Sequence, residues 1–293
     1  MFKFKYILYK NIILLILYSL LSFYPLISFS FGRTEHRVIA HIAMHYISDN
    51  TKKELNYILQ GMDLVNISNF VDEHKYSKGK FKWQNCTNQC DDIDVLWKDT
   101  PHWHSISFRE NEKIDDSDKM ISAIKTGIEI LKNKNASTSL KLNAIIWLTH
   151  LIGEIHQPLH TLNEDQNIDS FGYLIDVRWR GKKTNLHTMW DREMIAFSQF
   201  SYSELGDNLM QPQLYVDDQD IKIKDNNTDI LLNSNDGYMD WILESRELAK
   251  HIYNTLPKNH KLSSVYYFKN YNIICTQLLK AGIRLAKVLN NIN

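Results

Sequence analysis

Thr149-His150-Leu151-Ile152-Gly153-Glu154-Ile155-His156-Gln157-Pro158-Leu159-His160 is the stretch on which the reading of this chain turns. His150 and Glu154 stand four residues apart. On a helix that spacing sends both side chains from one face, with Cβ atoms roughly 5–6 Å apart. Two ligands so placed hold one metal ion without help from a loop. Pro158 lacks a backbone donor and should end the helix near His156, so that His160 returns to the site from another direction. A second pair at the same spacing, His187 and Asp191, lies in Asn185-Leu186-His187-Thr188-Met189-Trp190-Asp191. A lone buried histidine is usually a packed core residue. Two i,i+4 pairs plus His160 fit the nitrogen and carboxylate ligands that zinc favours, in numbers that suggest more than one ion.

Outward from this stretch the chain reads mostly helical. The helix carrying His150 is expected over 137–156 and is apolar nearly all round, which makes it central. Apolar periodicity places a helix from a Thr34 N-cap to 46, another over 52–60, and one after Leu64 that carries Phe70, Val71 and Asp72. Further helices are expected over 115–133 with Asp116 or Ser117 as cap, from 186 through 197, over 238–254 and over 263–289. Residues 173–179 alternate and lead into Gly181, the one strand-like stretch. Residues 75–100 read as a polar surface loop and 217–235 as a polar linker. No repeat or heptad pattern appears. The expected class is mostly α, one multi-helix domain with one small β-hairpin, in keeping with only 10 Gly and 5 Pro.

The 34 basic and 34 acidic residues balance, so no general attraction to nucleic acid exists and any such binding must be local. Residues 1–30 read as a signal peptide. Lys3, Lys5 and Lys10 precede an apolar run over 12–27, and Ser28-Phe29-Ser30 supplies small residues where a signal peptidase reads. Cleavage after Ser30 would leave Phe31 as the mature amino terminus and 31–293 as one domain; an uncleaved membrane anchor is the alternative. Entry to the secretory route follows, with export or an acidic, vacuolar compartment as destination. Of the three cysteines, Cys86 and Cys90 lie close enough for a local disulfide and Cys275 reads as a buried thiol. Glycosylation sequons stand at Asn66, Asn85, Asn135 and Asn226.

With these residues laid out, the chain resembles the zinc-dependent single-strand-preferring nucleases of fungi and plants, fold kin of bacterial zinc phospholipase C. The resemblance rests on His150-Leu-Ile-Gly-Glu-Ile-His-Gln-Pro-Leu-His160 and Lys183-Thr-Asn-Leu-His-Thr-Met-Trp-Asp191. Phe31-Gly-Arg-Thr-Glu-His36, Val71-Asp-Glu73 and residues 279–286 support it. It implies a phospholipase C/nuclease-like fold and three zinc ions. One would be held by Asp72, His104, His150 and a bridging Glu154. A second would take His160, His187 and Asp191. The third would take His36, Glu154 and the amino nitrogen and carbonyl oxygen of Phe31. The implied activity is hydrolysis of single-stranded DNA or RNA to 5′-phosphorylated products, with 3′-nucleotides as further substrates. Asp72 and Glu154 would serve the chemistry and Lys75 would meet phosphate as a point charge. The enzyme would act as a monomer without a stable protein partner. Tyr173 and Trp103 are candidates for an aromatic wall. The chain departs from the family pattern at Glu154, where the family has Asp, at Ser107, where it has an acid, and at Phe171-Gly172-Tyr173, where it has Gly-Gly-Asn. A phospholipase C-like activity and a zinc-binding protein without catalysis are the alternative readings.

Overall fold

The computed structural model describes residues 31–74, 103–106, 108–109, 112–115, 117–163, 170–211 and 237–292. Residues 1–30, expected to be a signal segment, together with Lys75, Cys86, Cys90, Ser107 and residues 217–235, lie outside the described residues. The elements in order are α1 (Arg33–Tyr46), α2 (Asp49–Leu59), α3 (Leu64–Ile67), α4 (Phe70–His74), α5 (Lys119–Lys132) and α6 (Thr138–Glu154). A 3-10 turn, Pro158–Thr161, precedes β1 (Asp176–Trp179) and β2 (Lys182–Asn185). Then come α7 (Leu186–Thr188), a π-helical turn at Met189–Glu193, α8 (Met194–Ser198), α9 (Tyr202–Leu209), α10 (Tyr238–Thr255), β3 (Lys261–Leu262) and α11 (Ser264–Leu289).

Helix α6 is the hub. Ser137 caps it by accepting from Leu140 N, and every residue from Lys141 to Glu154 is buried. An all-round apolar helix has no solvent face, so other helices must cover it. Helix α5 packs along it, and α1, α2 and α11 close other sides. Helix α11 runs along α1 at close range: a Cβ on Gly282 would lie 2.5 Å from Ile42 Cβ and 3.0 Å from Ile39 O. The chain turn after α6 is clamped from behind. Arg284 Nη1 donates to His156 Nε2 (2.9 Å) and its Nη2 to Glu244 (2.7 Å), while Gln277 Nε2 donates to His156 O (3.3 Å) and to Ser245 Oγ (3.0 Å).

The class is as expected, with local corrections. The hairpin is part of a three-stranded sheet in the order β2-β1-β3, with β3 parallel to β1. Strand β3 has two residues, too few to show an alternation. Strand β1 begins at Asp176 rather than at 173, because 170–174 form a turn held by Tyr173 N donating to Ser170 O. The helix after Leu64 is broken into α3 and α4. Between them Ser68 Oγ donates to Val65 O and Asn69 Nδ2 to Arg33 O, side-chain bonds that draw the backbone off the helical path. Helix α5 starts at Lys119 and is capped by Asp118, which accepts from Met120 N at 2.8 Å; Asp115 spends its carboxylate on Ser117. Helix α2 starts at Asp49 under a Ser48 cap, and α1 starts at Arg33 after Gly32 rather than being capped by Thr34. Helix α9 was not expected, although Ser201-x-x-Glu204 forms a full capping box at its start.

Candidate metal centre

The ligand positions are spread over several elements. Helix α6 brings His150 and Glu154, α1 brings His36, α4 brings Asp72 and the segment at 103–106 brings His104. The helix stops at Glu154 and Pro158 opens the 3-10 turn, which carries His160. His187 lies in α7 and Asp191 in the π-helical turn that follows. All of these side chains are buried except that of Asp72, which is 18% exposed and gives the site its opening. The candidate side chains are thus brought together in one buried cluster.

Two groups form within it. His160, His187 and Asp191 place one ligand atom each within 4.8 Å of the others. His187 Nε2 is 2.9 Å from Asp191 Oδ2, and His160 Nε2 is 3.3 Å from Asp191 Oδ1 and 3.1 Å from His187 Nε2. His187 Nδ1 donates to Phe171 O at 2.7 Å. A carbonyl only accepts, so the proton sits on Nδ1 and the Nε2 lone pair faces the group. The second group is His36, Asp72 and His150. His36 stacks on His150 at 4.3 Å, and His104 Nε2 approaches Asp72 Oδ1 at 3.5 Å. His36 thus clusters with the ligands expected for a different ion.

Glu154 joins the two groups. Its Oε1 is 2.8 Å from His36 Nε2, 3.8 Å from His150 Nε2 and 3.1 Å from Phe31 N; its Oε2 is 2.9 Å from His160 Nδ1. The glutamate in place of aspartate spans both sides. Gly153 leaves room for this convergence, since a Cβ there would lie 2.9 Å from His36 Nδ1.

Charge in the cavity is held apart by environment. Burial raises the Glu154 carboxyl, but His160 and His150 more than reverse this and hold it well below the usual range. Burial likewise opposes ionisation of Asp72, and His150, His104 and His36 overcome it. Burial pushes His150 down to about 3, with His36 adding to the effect. Burial would lower His160 too, yet the adjacent Glu154 and Asp191 raise it to about 10. The pocket therefore keeps its carboxylates ionised and demands compensating positive charge, as a proton on His160 or as a cation. Both ring nitrogens of His36, His104 and His150, together with His160 Nδ1 and Glu154 Oε2, are buried without an aligned hydrogen bond. An unmade buried bond costs about 1–3 kcal/mol per group, and nitrogen and carboxylate donors suit a divalent cation of zinc type. The residues present fit such ions.

Three neighbours were not singled out from the sequence. Gln157 Nε2 donates to Asp191 Oδ1 at 2.6 Å while its Oε1 accepts from Leu159 N at 2.7 Å. His156 is no ligand: it donates from Nδ1 to Ile152 O (2.6 Å) and accepts from Arg284 on Nε2. Glu35 is buried against Gly32, and burial, then Asp191, raises its carboxyl well above the usual 4.5. A glutamine just before the first proline of a turn is a readable cap signal; nothing in the sequence links it to Asp191. Of the aromatic candidates, Tyr173 stacks on His187 at 3.7 Å, whereas Trp103 packs on Trp147 of α6 at 4.8 Å.

Fold and cavity together define a helical protein built around one buried nest of histidines and carboxylates suited to divalent cations. Comparison with known proteins narrows this: the S1/P1 Nuclease family description matches residues 31–293, and the chain belongs to that family. It is 29% identical over 287 residues to Nuclease S1 of Aspergillus oryzae, covering 90% of this chain and 92% of that one. Endonuclease 4 of Arabidopsis thaliana is 27% identical over 281 residues, 89% and 88% of the two chains. Nuclease P1 of Penicillium citrinum is 26% identical over 166 residues, 56% of this chain and 57% of its own.

Proposed function

We propose that the mature chain, beginning at Phe31, is a secreted zinc-dependent phosphodiesterase that cuts single-stranded DNA or RNA to 5′-phosphorylated products and also acts on 3′-nucleotides. The observation that carries this reading is the approach of His36, His150 and His160 to the two oxygens of one buried carboxylate, Glu154, at 2.8–3.8 Å. Membership of a nuclease family supplies the reaction class.

In this reading His160, His187 and Asp191 hold one zinc ion, and Asp72, His104, His150 and Glu154 hold another. His36, Glu154 and the freed terminus of Phe31 hold a third. Zinc at these positions supplies Lewis acidity, which lowers the pKa of an attacking water and offsets charge on the phosphate oxygens. The chain's own residues do the rest. Phe31 N already lies 3.1 Å from Glu154 Oε1, so processing after Ser30 would place a free amine where a ligand is needed. The family match opening at residue 31 agrees with that boundary. Burial excludes bulk water from the histidines, and Asp72 marks the open side from which a bent single strand enters. Sequons at Asn66 and Asn135 lie on exposed residues, consistent with a secretory route.

One assay tests the reading. Purified protein starting at Phe31 is given single-stranded DNA, RNA and phosphatidylcholine, with and without chelator. Chelator-sensitive release of 5′-mononucleotides is expected. Lipid turnover instead, or silence on all three substrates with zinc bound, overturns it.

A further inference from the structure

The small sheet carries a charge pattern that the metal centre does not use. Arg178 on β1 is the register partner of Lys183 on β2 and of Lys261 on β3. All three are exposed, on the face opposite buried Val177 and Trp179. Like charges directly opposed across strands cost stability. Asp176 lies 2.7 Å from Lys183 and offsets one of them. No ion pair to Arg178 or Lys261 is found among the described residues. Arg180 and Lys258 add exposed cations, and Asp176 is the only acid in 170–187 and 256–263. In a chain with 34 basic and 34 acidic residues this is local clustering and not composition.

Arg178, Lys183 and Lys261 border a depression of about 260 Å³ that Asp176, Asn259 and His260 also line. His260 is fixed there, donating from Nδ1 to Asp176 O at 3.0 Å, and its own carbonyl accepts from Arg178 N at 2.9 Å. The sheet is physically continuous with the metal centre, because β2 ends at Asn185 and His187 follows in α7. Lys183 is four residues from His187, at most roughly 14 Å of chain. A nucleic-acid strand seated at the cavity would carry its next phosphates into that range.

We infer that Arg178, Lys183 and Lys261 form a phosphate-binding track for the backbone of a single-stranded polynucleotide beyond the bond being cut. The inference rests on the nuclease reading above and deepens it: long strands are gripped by the sheet, while a dinucleotide sees the metal centre alone. A point-charge track of this kind reads no base, so it gives affinity and salt dependence without sequence preference.

The test compares the native enzyme, zinc-loaded and starting at Phe31, with its Arg178→Gln/Lys261→Gln variant. Both side chains are exposed and their removal relieves the opposed like charges, so the melting temperature should not fall. For a single-stranded 20-mer, KM of the variant should rise several-fold at unchanged kcat. The slope of log KM against log salt should shrink by about 1.4, the loss of two phosphate contacts. KM for a dinucleotide should not move. An unchanged KM and slope for the 20-mer overturn the inference, as does an equal loss on the dinucleotide. Loss of binding to phosphatidylserine vesicles with the 20-mer unaffected overturns it as well. If the native protein cuts neither substrate, the functional reading fails; fluorescence anisotropy on the uncut 20-mer then decides the track by the same comparison of affinity and salt slope.

Discussion

Gln157 illustrates how one buried amide can govern a cation site it never touches. Its Nε2 holds Asp191 Oδ1 at 2.6 Å, so the other oxygen, Oδ2, is the one turned to His187 Nε2. Partners that orient a ligand carboxylate typically contribute 10–100-fold in metal affinity, by roughly that factor when removed. On the proposed zinc reading, Gln157→Leu should therefore weaken metal binding at His160, His187 and Asp191 by about one to two orders of magnitude and leave binding at His36, Asp72 and His150 unchanged. Zinc content after titration with a chelator of known affinity reads this; an unchanged stoichiometry curve would refute it. His150 with Glu154 and His187 with Asp191 were legible because i,i+4 spacing is a geometric statement about a helix, whereas His36, Asp72 and His104 came only through the family resemblance. Gln157 was not legible, since its partner lies 34 positions away and only the fold brings the two together.

Among the elements, α6 could be read directly. A run with no polar face admits few alternatives, and Ser137 and Pro158 bracket it. The pairing of α1 with α11 could not be read, although each helix was expected. Their closeness depends on Gly282, whose missing side chain lets Ile42 sit where a Cβ would be, 2.5 Å away. Gly282→Ala must push α11 off α1, with a cost of about 1–3 kcal/mol as for other overpacked contacts. The midpoint of urea unfolding should fall accordingly, and a midpoint equal to the native one would show that the helices slide apart freely. Because α1 carries His36, the same variant should also lose part of its zinc affinity. The break between α3 and α4 escaped a sequence reading for another reason: Ser68 and Asn69 compete for backbone carbonyls, and whether they win depends on the neighbouring α1.

At the level of the whole molecule, charge couples the last two helices. Glu244 on α10 meets Arg284 and Lys280 on α11. Burial opposes its ionisation, but the two cations hold its carboxyl below the usual 4.5. A depressed native value means the unfolded chain takes up a proton first as pH falls. The stability this group contributes is thus complete above about pH 4.5 and drains away below it. Glu244→Gln should lower the melting temperature at pH 7 and flatten its fall below pH 4.5; parallel melting curves for the two proteins across that range would contradict this. Metal removal acts on the same global scale. Cations that bind only the folded state stabilise it by mass action, so stripping zinc with chelator should lower the melting temperature and adding zinc back should restore it. A melting temperature indifferent to chelator would remove the cavity's claim to hold ions.

By itself the sequence determined the helical class, the central helix, and the two i,i+4 pairs, His150 with Glu154 and His187 with Asp191. Each of those is a local matter of periodicity or spacing. Tertiary structure decided the rest: that Glu154 faces two groups at once, that His36 stacks on His150, that Gln157 orients Asp191, and that two residues at 261–262 complete a sheet with a row of cations. These are contacts between segments apart in the chain, which no local periodicity or spacing encodes and which only the packed fold brings together.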